Sequence, residues 1–131
     1  MLDRAKIGAA LGAMLLVAGC ATAPTQFNGG VLTDSKGMTL DTFDKDKVGS
    51  GRSVCNGKCA VKWPPLKASA EAKPSGKYTV ITRNDGSRQW AYDGRPLYLW
   101  VKDKKPGDRT GDGVAKKWHV VKEPGGSMGG Y

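Results

Sequence analysis

Histidine is almost absent from this chain of 131 residues, which contains only His119. One histidine excludes a His-rich metal site, and no nucleophile and base pair is evident from which to assemble a Ser-His-Asp triad. We therefore predict no metal, no cofactor and no enzymatic activity. His119 is expected to pack in the last strand beside Trp118.

Long apolar runs are missing as well. The longest one, residues 7–18, has about a dozen residues, whereas a membrane-spanning helix needs roughly 20. The run follows Arg4 and Lys6 and ends in small residues, a layout typical of a signal peptide. We expect residues 1–19 to be removed during export, so they play no part in the fold.

The end of that run, Leu16-Val17-Ala18-Gly19-Cys20, resembles the lipobox of bacterial lipoproteins. The resemblance implies a lipid anchor on Cys20, which makes the membrane the first partner. Ala21 follows the cysteine in place of Asp, which is similar to the outer-membrane sorting signal. We expect a cell-envelope lipoprotein on the outer membrane, facing the periplasm. The alternative is a plain secretory signal with an incidental cysteine.

Acidic residues are outnumbered, with 12 Asp and Glu against 21 Lys and Arg. The net charge of +9 falls to +8 on removal of residues 1–19, which carry two basic residues and Asp3. Such an excess favours anionic envelope components as partners, or another envelope protein, but no nucleic acid. The alternative is that the charge only keeps the protein soluble near a crowded membrane.

Cysteine is scarce, and the three residues have different expected roles. Lipidation of Cys20 leaves Cys55 and Cys59 as a pair in an oxidising compartment. Because Asn56-Gly57 supplies a tight turn between them, we predict a disulfide. The spacing is not the two-residue spacing of thioredoxin-like motifs. An envelope redox protein that uses this pair, or an accessory to periplasmic electron transfer, remains the alternative function.

Helical periodicity is absent after residue 20, and the clearest patterns predict strands. In the second half, strands are expected at residues 78–83, 88–92 and 96–101. The turns between them are Asn84-Asp85-Gly86 and Asp93-Gly94. Three such strands make a meander. The first half has weaker strand signals at residues 31–33 and 38–43, separated by a turn at residues 34–37.

The two halves can be aligned with an offset of 57 residues. The matched pairs are Gly37 and Gly94, Leu40 and Leu97, Phe43 and Trp100, Asp46 and Asp103, Lys47 and Lys104, Arg52 and Arg109, and Ser53 and Thr110. After a two-residue gap, Ala60 aligns with Ala115, Lys62 with Lys117 and Trp63 with Trp118. The sequence therefore contains an internal repeat.

These patterns predict an all-β fold, a small antiparallel sandwich or barrel of six to eight strands, made of two pseudo-symmetric repeats. The expected core surrounds Trp63, Trp90, Trp100 and Trp118. The predicted boundaries are a signal peptide at 1–19, the lipidated cysteine and a tether at 20–30, a first repeat at 31–66, a joint at 67–76, a second repeat at 77–123 and a disordered glycine-rich tail at 124–131.

The second repeat contains the pattern Tyr98-x-Trp100-x-x-Asp103. It resembles the secreted-repeat lipoprotein family, whose motif is Tyr-x-aromatic-x-x-Asp and whose members are predicted lipoproteins of unknown function. The resemblance covers about residues 29–124. In the first copy Asp41 stands in place of the tyrosine, followed by Phe43 and Asp46. The family implies a class and a location, and it brings no activity, cofactor or catalytic residue.

Two interpretations of this motif remain open. Tyr98 and Trp100 lie two apart on a strand and share a face, so they could stack on a ligand or simply fill the core. Asp103, at the end of that strand, could accept hydrogen bonds from turn amides. The acidic, glycine-rich loop at residues 103–113 could hold calcium, but its adjacent lysines and arginine favour salt-bridged turns.

Overall fold

The computed structural model describes residues 23–125. In this part the strands are β1 (Thr25–Asn28), β2 (Val31–Asp34), β3 (Asp41–Phe43), β4 (Tyr78–Thr82), β5 (Arg88–Tyr92), β6 (Arg95–Pro96) and β7 (Trp118–Val120). There is also one helical turn, α1 (Lys58–Lys62), and a 3₁₀ turn at Val114–Lys116. The strands pair antiparallel, which confirms the all-β class. The predictions for residues 1–19, for Cys20 and for the tail from residue 126 onward lie outside the described residues.

The strands form three small sheets, β1-β2, β3-β7 and β4-β5-β6. The last is the meander that the sequence predicts. Asp93 and Gly94 link β5 to β6 with φ values of 52° and 81°, the left-handed pair that a two-residue hairpin turn requires. The third strand is shorter than predicted, because after Pro96 the chain leaves the meander and Tyr98 forms bridges with Asp41 and Pro65.

The tether predicted at residues 20–30 has to be shortened, because residues 25–28 form β1. This strand pairs with β2 from Thr25↔Asp34 to Asn28↔Val31. Phe27 packs against the core, and Gly29 and Gly30 turn the chain with φ values of 60° and 86°. One large apolar residue in a polar stretch gave too weak a sequence signal for a strand.

The segment predicted as a soft joint, residues 67–76, packs against the second half. Ala68 donates its N–H to the carbonyl of Arg88 at 3.1 Å. The guanidinium of Arg88 in turn bonds the carbonyls of Ser69 and Ala70 at 2.6 and 2.9 Å. Ala72 is 3% exposed within the core. The segment is therefore part of the folded body.

The core consists of two clusters. The first contains Leu32, Leu40, Leu66, Ala72, Trp90, Tyr92 and Leu97. The second contains Cys55, Trp63, Tyr98 and Trp118, with Phe43 and Trp100 packed against it. The prediction of one core around four tryptophans needs correction, since Trp90 lies in the first cluster and the other three belong to the second.

The two halves are interlocked and do not lie side by side. β3 of the first half pairs with β7 of the second, with Phe43 opposite Trp118. In the reciprocal contact, Val101 of the second half donates its N–H to the carbonyl of Lys62 at 3.1 Å. Between the two contacts, Asp41 and Tyr98 exchange backbone hydrogen bonds of 2.8 and 2.9 Å. Each half therefore completes the other half's strand pairing.

Candidate functional site

The motif tyrosine reaches across to the other repeat. Tyr98 is fully buried, and its hydroxyl donates to Asp46 Oδ2 at 2.5 Å and not to Asp103 of its own motif. Each motif aspartate closes a turn at the equivalent place in its own repeat. The Asp46 N–H donates to the carbonyl of Phe43, and the Asp103 N–H donates to that of Trp100, each at 3.0 Å. The motif thus joins one repeat to the other, as the core-filling interpretation requires.

A buried hydrogen-bond chain supports this contact. Arg83, only 5% exposed, donates from Nη1 to Ser53 Oγ at 2.9 Å, and Ser53 Oγ lies 2.6 Å from the Tyr98 hydroxyl. Because the Tyr98 proton goes to Asp46, the Ser53 hydroxyl donates to Tyr98. Arg83 also bonds Gln89 Oε1 at 2.7 Å. The chain runs from a buried cation to a buried carboxylate, so both charges are compensated.

The protonation of this network follows from its burial. Burial raises the pKa of Asp46, although hydrogen bonds from Tyr98 and from the Val54 amide act in the opposite direction. Burial and the bond to Asp46 raise the pKa of Tyr98 above its usual value. Tyr98 therefore keeps its proton at neutral pH and acts as a donor, which suits a structural role.

The matching place in the other repeat lacks its tyrosine. Asp41 occupies that position, and its two carboxylate oxygens are buried without a hydrogen-bond partner among the described residues. Asp103 Oδ1 accepts from the amide and hydroxyl of Thr110, but Oδ2 is likewise without a partner there. Burial, followed by the charges of Asp103 and Asp112, raises the pKa of Asp41 to about 7. At this position the fold therefore disfavours the negative charge of Asp41.

The motif aromatics take part in a four-ring stack. Trp63 and Trp118, equivalent in the two repeats, stack at 3.7 Å with an interplanar angle of 1°. Phe43 covers Trp118 at 4.1 Å, and Trp100 covers Trp63 at 4.0 Å. Gly111 is needed beside the stack, because a Cβ there would lie 2.8 Å from Trp63. The rings at the two ends, Phe43 and Trp100, are only half-buried.

The cysteines join at the edge of the second cluster. Cys55 and Cys59 form a disulfide with an S–S distance of 2.04 Å around the start of α1. Cys55 is fully buried, whereas Cys59 is partly exposed. The bond closes the loop whose carbonyl at Cys55 accepts from Arg83 Nη2 at 2.5 Å. It therefore holds a segment that the buried network needs.

Removal of this disulfide in a Cys55→Ala/Cys59→Ala variant is expected to lower the free energy of unfolding by about 2 kcal/mol, since the closed loop is short. Urea denaturation followed by tryptophan fluorescence measures the change. An exposed substitution in α1, Val61→Ala, serves as the control. A loss no larger than that of the control would contradict the structural role of the bond.

The carboxylates of the loop at residues 103–113 serve its turns. Asp108 accepts from the amides of Lys104 and Lys105 at 2.8 and 3.1 Å and forms an ion pair with Lys105 Nζ at 2.9 Å. Asp112 accepts from the Val120 amide at 3.0 Å. No group of three or more acidic, histidine or cysteine side chains within residues 23–125 is arranged to hold a metal ion. Of the two interpretations, salt-bridged turns fit these contacts.

Sequence comparison gives the same division into halves. A family model described as a secreted repeat of unknown function matches residues 23–67 and, a second time, residues 79–122. The chain belongs to this family of secreted repeats. This match confirms the family resemblance that was inferred from the motif. No curated protein and no solved structure matches the chain.

An exposed surface beside the motif of the second secreted repeat combines residues of both repeats. We call it the motif patch, and it consists of Val61, Lys62, Trp100, Val101, Lys102 and Lys104. Val61 is 72% and Val101 41% exposed. The ammonium of Lys102 lies 5.9 Å from the centre of the Trp100 ring, and Lys104 Nζ donates to the carbonyl of Val101 at 3.2 Å. Two lysine ammonium groups therefore lie beside Trp100 and Val101, and the backbone bond from Val101 to Lys62 brings α1 next to them.

The secreted repeats also leave an open cavity of about 440 Å³ between the β5-β6 hairpin and the β3-β7 sheet. Its lining includes Lys77, Arg95 and Lys122, together with Tyr92 and His119. His119 lies in β7, as expected, and it also lines this cavity. Its Nε2 atom lies 2.8 Å from Asp44 Oδ2.

Sequence reasoning missed the residues that complete these sites. Arg83 carried one usable signal, because it lies two residues after Ile81 and thus on the inward face of the same extended segment. Val61 and Lys62 carried none, since their place beside Val101 depends on the interlocking of the repeats. The cavity could not be predicted either, because its walls come from segments that are separate in sequence.

Proposed function

We propose that the protein is a membrane-anchored envelope lipoprotein whose folded domain is a non-enzymatic binding module for anionic components of the envelope. The observation that carries the proposal is the motif patch. It combines the half-buried Trp100 ring, the exposed Val101 and two lysines beside them with the exposed residues Val61 and Lys62 of the adjoining helical turn.

An anionic lipid surface is the partner that suits this chemistry. Residues 23–125 contain 19 basic and 11 acidic side chains and therefore have a net charge of +8. Each lysine close to an anionic membrane contributes about 1 kcal/mol of attraction. Exposed valines and an aromatic ring add apolar contact at the headgroup level.

The proposed anchor keeps the domain close to such a surface. Only two residues, Ala21 and Thr22, separate Cys20 from Ala23, where the described structure begins. Because a chain reaches at most about 3.5 Å per residue, this link can span no more than about 10 Å. A domain held this close meets headgroups at a high effective concentration, and even weak contacts of the motif patch become significant.

The internal chemistry supports a binding role over catalysis. The motif hydroxyl of Tyr98 and the carboxylate of Asp46 are buried and bonded to each other, so neither faces a substrate. The redox alternative gains no support from Cys55, which is fully buried. That alternative stays a prediction.

Vesicle co-sedimentation tests the proposal with the mature chain, residues 20–131 carrying Cys20→Ser. We expect binding to vesicles of phosphatidylglycerol and phosphatidylcholine but not to phosphatidylcholine alone. The Lys62→Glu/Lys102→Glu variant should bind at least about tenfold more weakly, because reversal of two charges lowers the net charge of the surface by four units. Binding should also weaken as salt is added.

A matched control reverses two exposed lysines that are not part of the motif patch, in Lys67→Glu/Lys73→Glu. Its net charge equals that of the patch variant, so a difference between the two reports position alone. Equal losses in both variants would contradict a defined binding surface. Retention of vesicle binding by the patch variant would contradict the motif patch as the binding surface.

A further inference from the structure

The open cavity shares no residue with the motif patch. Three cationic side chains converge on it from different segments, Lys77 just before β4, Arg95 on β6 and Lys122 just after β7. All three residues are exposed. A concentration of cations from three separate segments favours an anionic ligand.

The charges in the lining are unevenly compensated. Within residues 23–125, Lys105 with Asp108 is the one ion pair between a lysine or arginine and a carboxylate, while His119 and Asp44 share a hydrogen bond. None of the three lining cations is therefore in an ion pair in that part of the chain, whereas Asp44, one of the two lining carboxylates, is bonded to His119. The lining therefore holds three cations against two carboxylates, Asp44 and Asp93.

The walls of the cavity also have an apolar part. Val120, Val121 and Pro124 form an aliphatic part of the lining, to which Tyr92, only 9% exposed, adds a small accessible area. The ammonium of Lys77 lies 5.9 Å from the centre of the Tyr92 ring. Aromatic and aliphatic faces pack against the carbon face of a sugar ring, while cations bind an attached anion. A volume of about 440 Å³ lies within the range of small-molecule sites.

We propose that this cavity binds a sugar phosphate, with the phosphate monoester held by Lys77, Arg95 and Lys122 and the sugar ring placed against the aliphatic wall of Val120, Val121 and Pro124. The ligand class covers a soluble sugar phosphate and the phosphorylated sugar headgroup of an envelope glycolipid, which present the same group. This site is independent of the membrane contact proposed for the motif patch.

Isothermal titration of the mature Cys20→Ser chain with glucose 1-phosphate tests the proposal. We expect saturable binding, at least about tenfold weaker binding of inorganic phosphate, and no heat from glucose, because both parts of the ligand contribute. An Arg95→Gln/Lys122→Gln variant should raise Kd by at least about tenfold through loss of two charge-assisted contacts. Equal affinity for inorganic phosphate, or an unchanged Kd in this variant, would overturn the proposal.

Two further arms separate the site from the motif patch and identify the source of the ligand. The Lys62→Glu/Lys102→Glu variant should keep the Kd for glucose 1-phosphate, and a loss there would overturn the independence of the two sites. Competition by lipid A vesicles would indicate a glycolipid headgroup. Binding of glucose 1-phosphate without such competition would indicate a soluble sugar phosphate.

Discussion

Replacement of Trp118 by alanine is expected to lower the free energy of unfolding by about 3–5 kcal/mol, the range found for large aromatic residues deleted from cores. Trp118 is 4% exposed and lies between Phe43 at 4.1 Å and Trp63 at 3.7 Å. It also meets Tyr98 edge-on at 5.1 Å. Because its neighbours come from both repeats, the loss should affect the whole domain. Urea denaturation followed by far-UV circular dichroism measures it.

Trp100→Ala is the matched control, since this ring is the half-buried end of the same stack and covers only Trp63. Trp100→Ala should lower the free energy of unfolding clearly less than Trp118→Ala does. Both variants should unfold in one transition, since the repeats complete each other's strand pairing. A Trp118→Ala variant with two separate transitions, or with the stability of the control, would contradict the interlocked arrangement.

Replacement of Asp41 by asparagine is expected to stabilise the protein above neutral pH. The carboxyl of Asp41 is fully buried, and neither oxygen has a partner among the described residues. Asparagine removes a negative charge that burial and the neighbouring charges of Asp103 and Asp112 disfavour. The gain at pH 8 has an upper bound of about 4 kcal/mol, set by the pKa shift of Asp41.

The expected direction of this stability change follows from the pH dependence of the free energy of unfolding. Burial raises the pKa of Asp41 from 3.8 to about 7, so the folded protein keeps a proton that the unfolded chain releases. Wild-type stability should therefore fall as pH rises from about 4 to 7 and then level off. Asp41→Asn should flatten this fall, whereas Asp93→Asn, an exposed control with the same charge change, should not. An unchanged slope in Asp41→Asn would contradict the account.

The local elements were predictable where a short pattern determines the structure. β4 and β5 follow from β-branched and alternating residues, and the turn at Asp93-Gly94 from two residues that accept left-handed backbone angles. The repeat was visible because matched residues recur at a fixed offset. These signals are local or periodic, so they can be read from one sequence.

The contacts between the repeats could not be predicted in this way. Nothing near Tyr98 indicates that its partner is Asp46, since an aspartate of its own motif lies closer in sequence. The buried position of Asp41 was equally hidden, because aspartate is rarely buried without a partner. Such features depend on how distant segments meet, which a pattern within one segment does not contain.

The structure separates the two uses of the family motif. Its tyrosine and aspartates hold the repeats together from inside, while Trp100 reaches the surface and is bordered by the lysines of the motif patch. A motif that is buried for stability therefore also positions the proposed binding surface. Variants of the motif should affect stability first, and variants of the patch lysines should affect binding alone.

Photo-crosslinking in living bacteria tests most directly whether the motif patch is the binding surface. A photoreactive phenylalanine analogue is placed in the full chain at Val101, in the patch, or at Glu71, an exposed position beside the first core cluster. We expect crosslinks to anionic lipid or glycolipid from position 101 and none above background from position 71. The same products from both positions, or none from position 101, would contradict the proposed function.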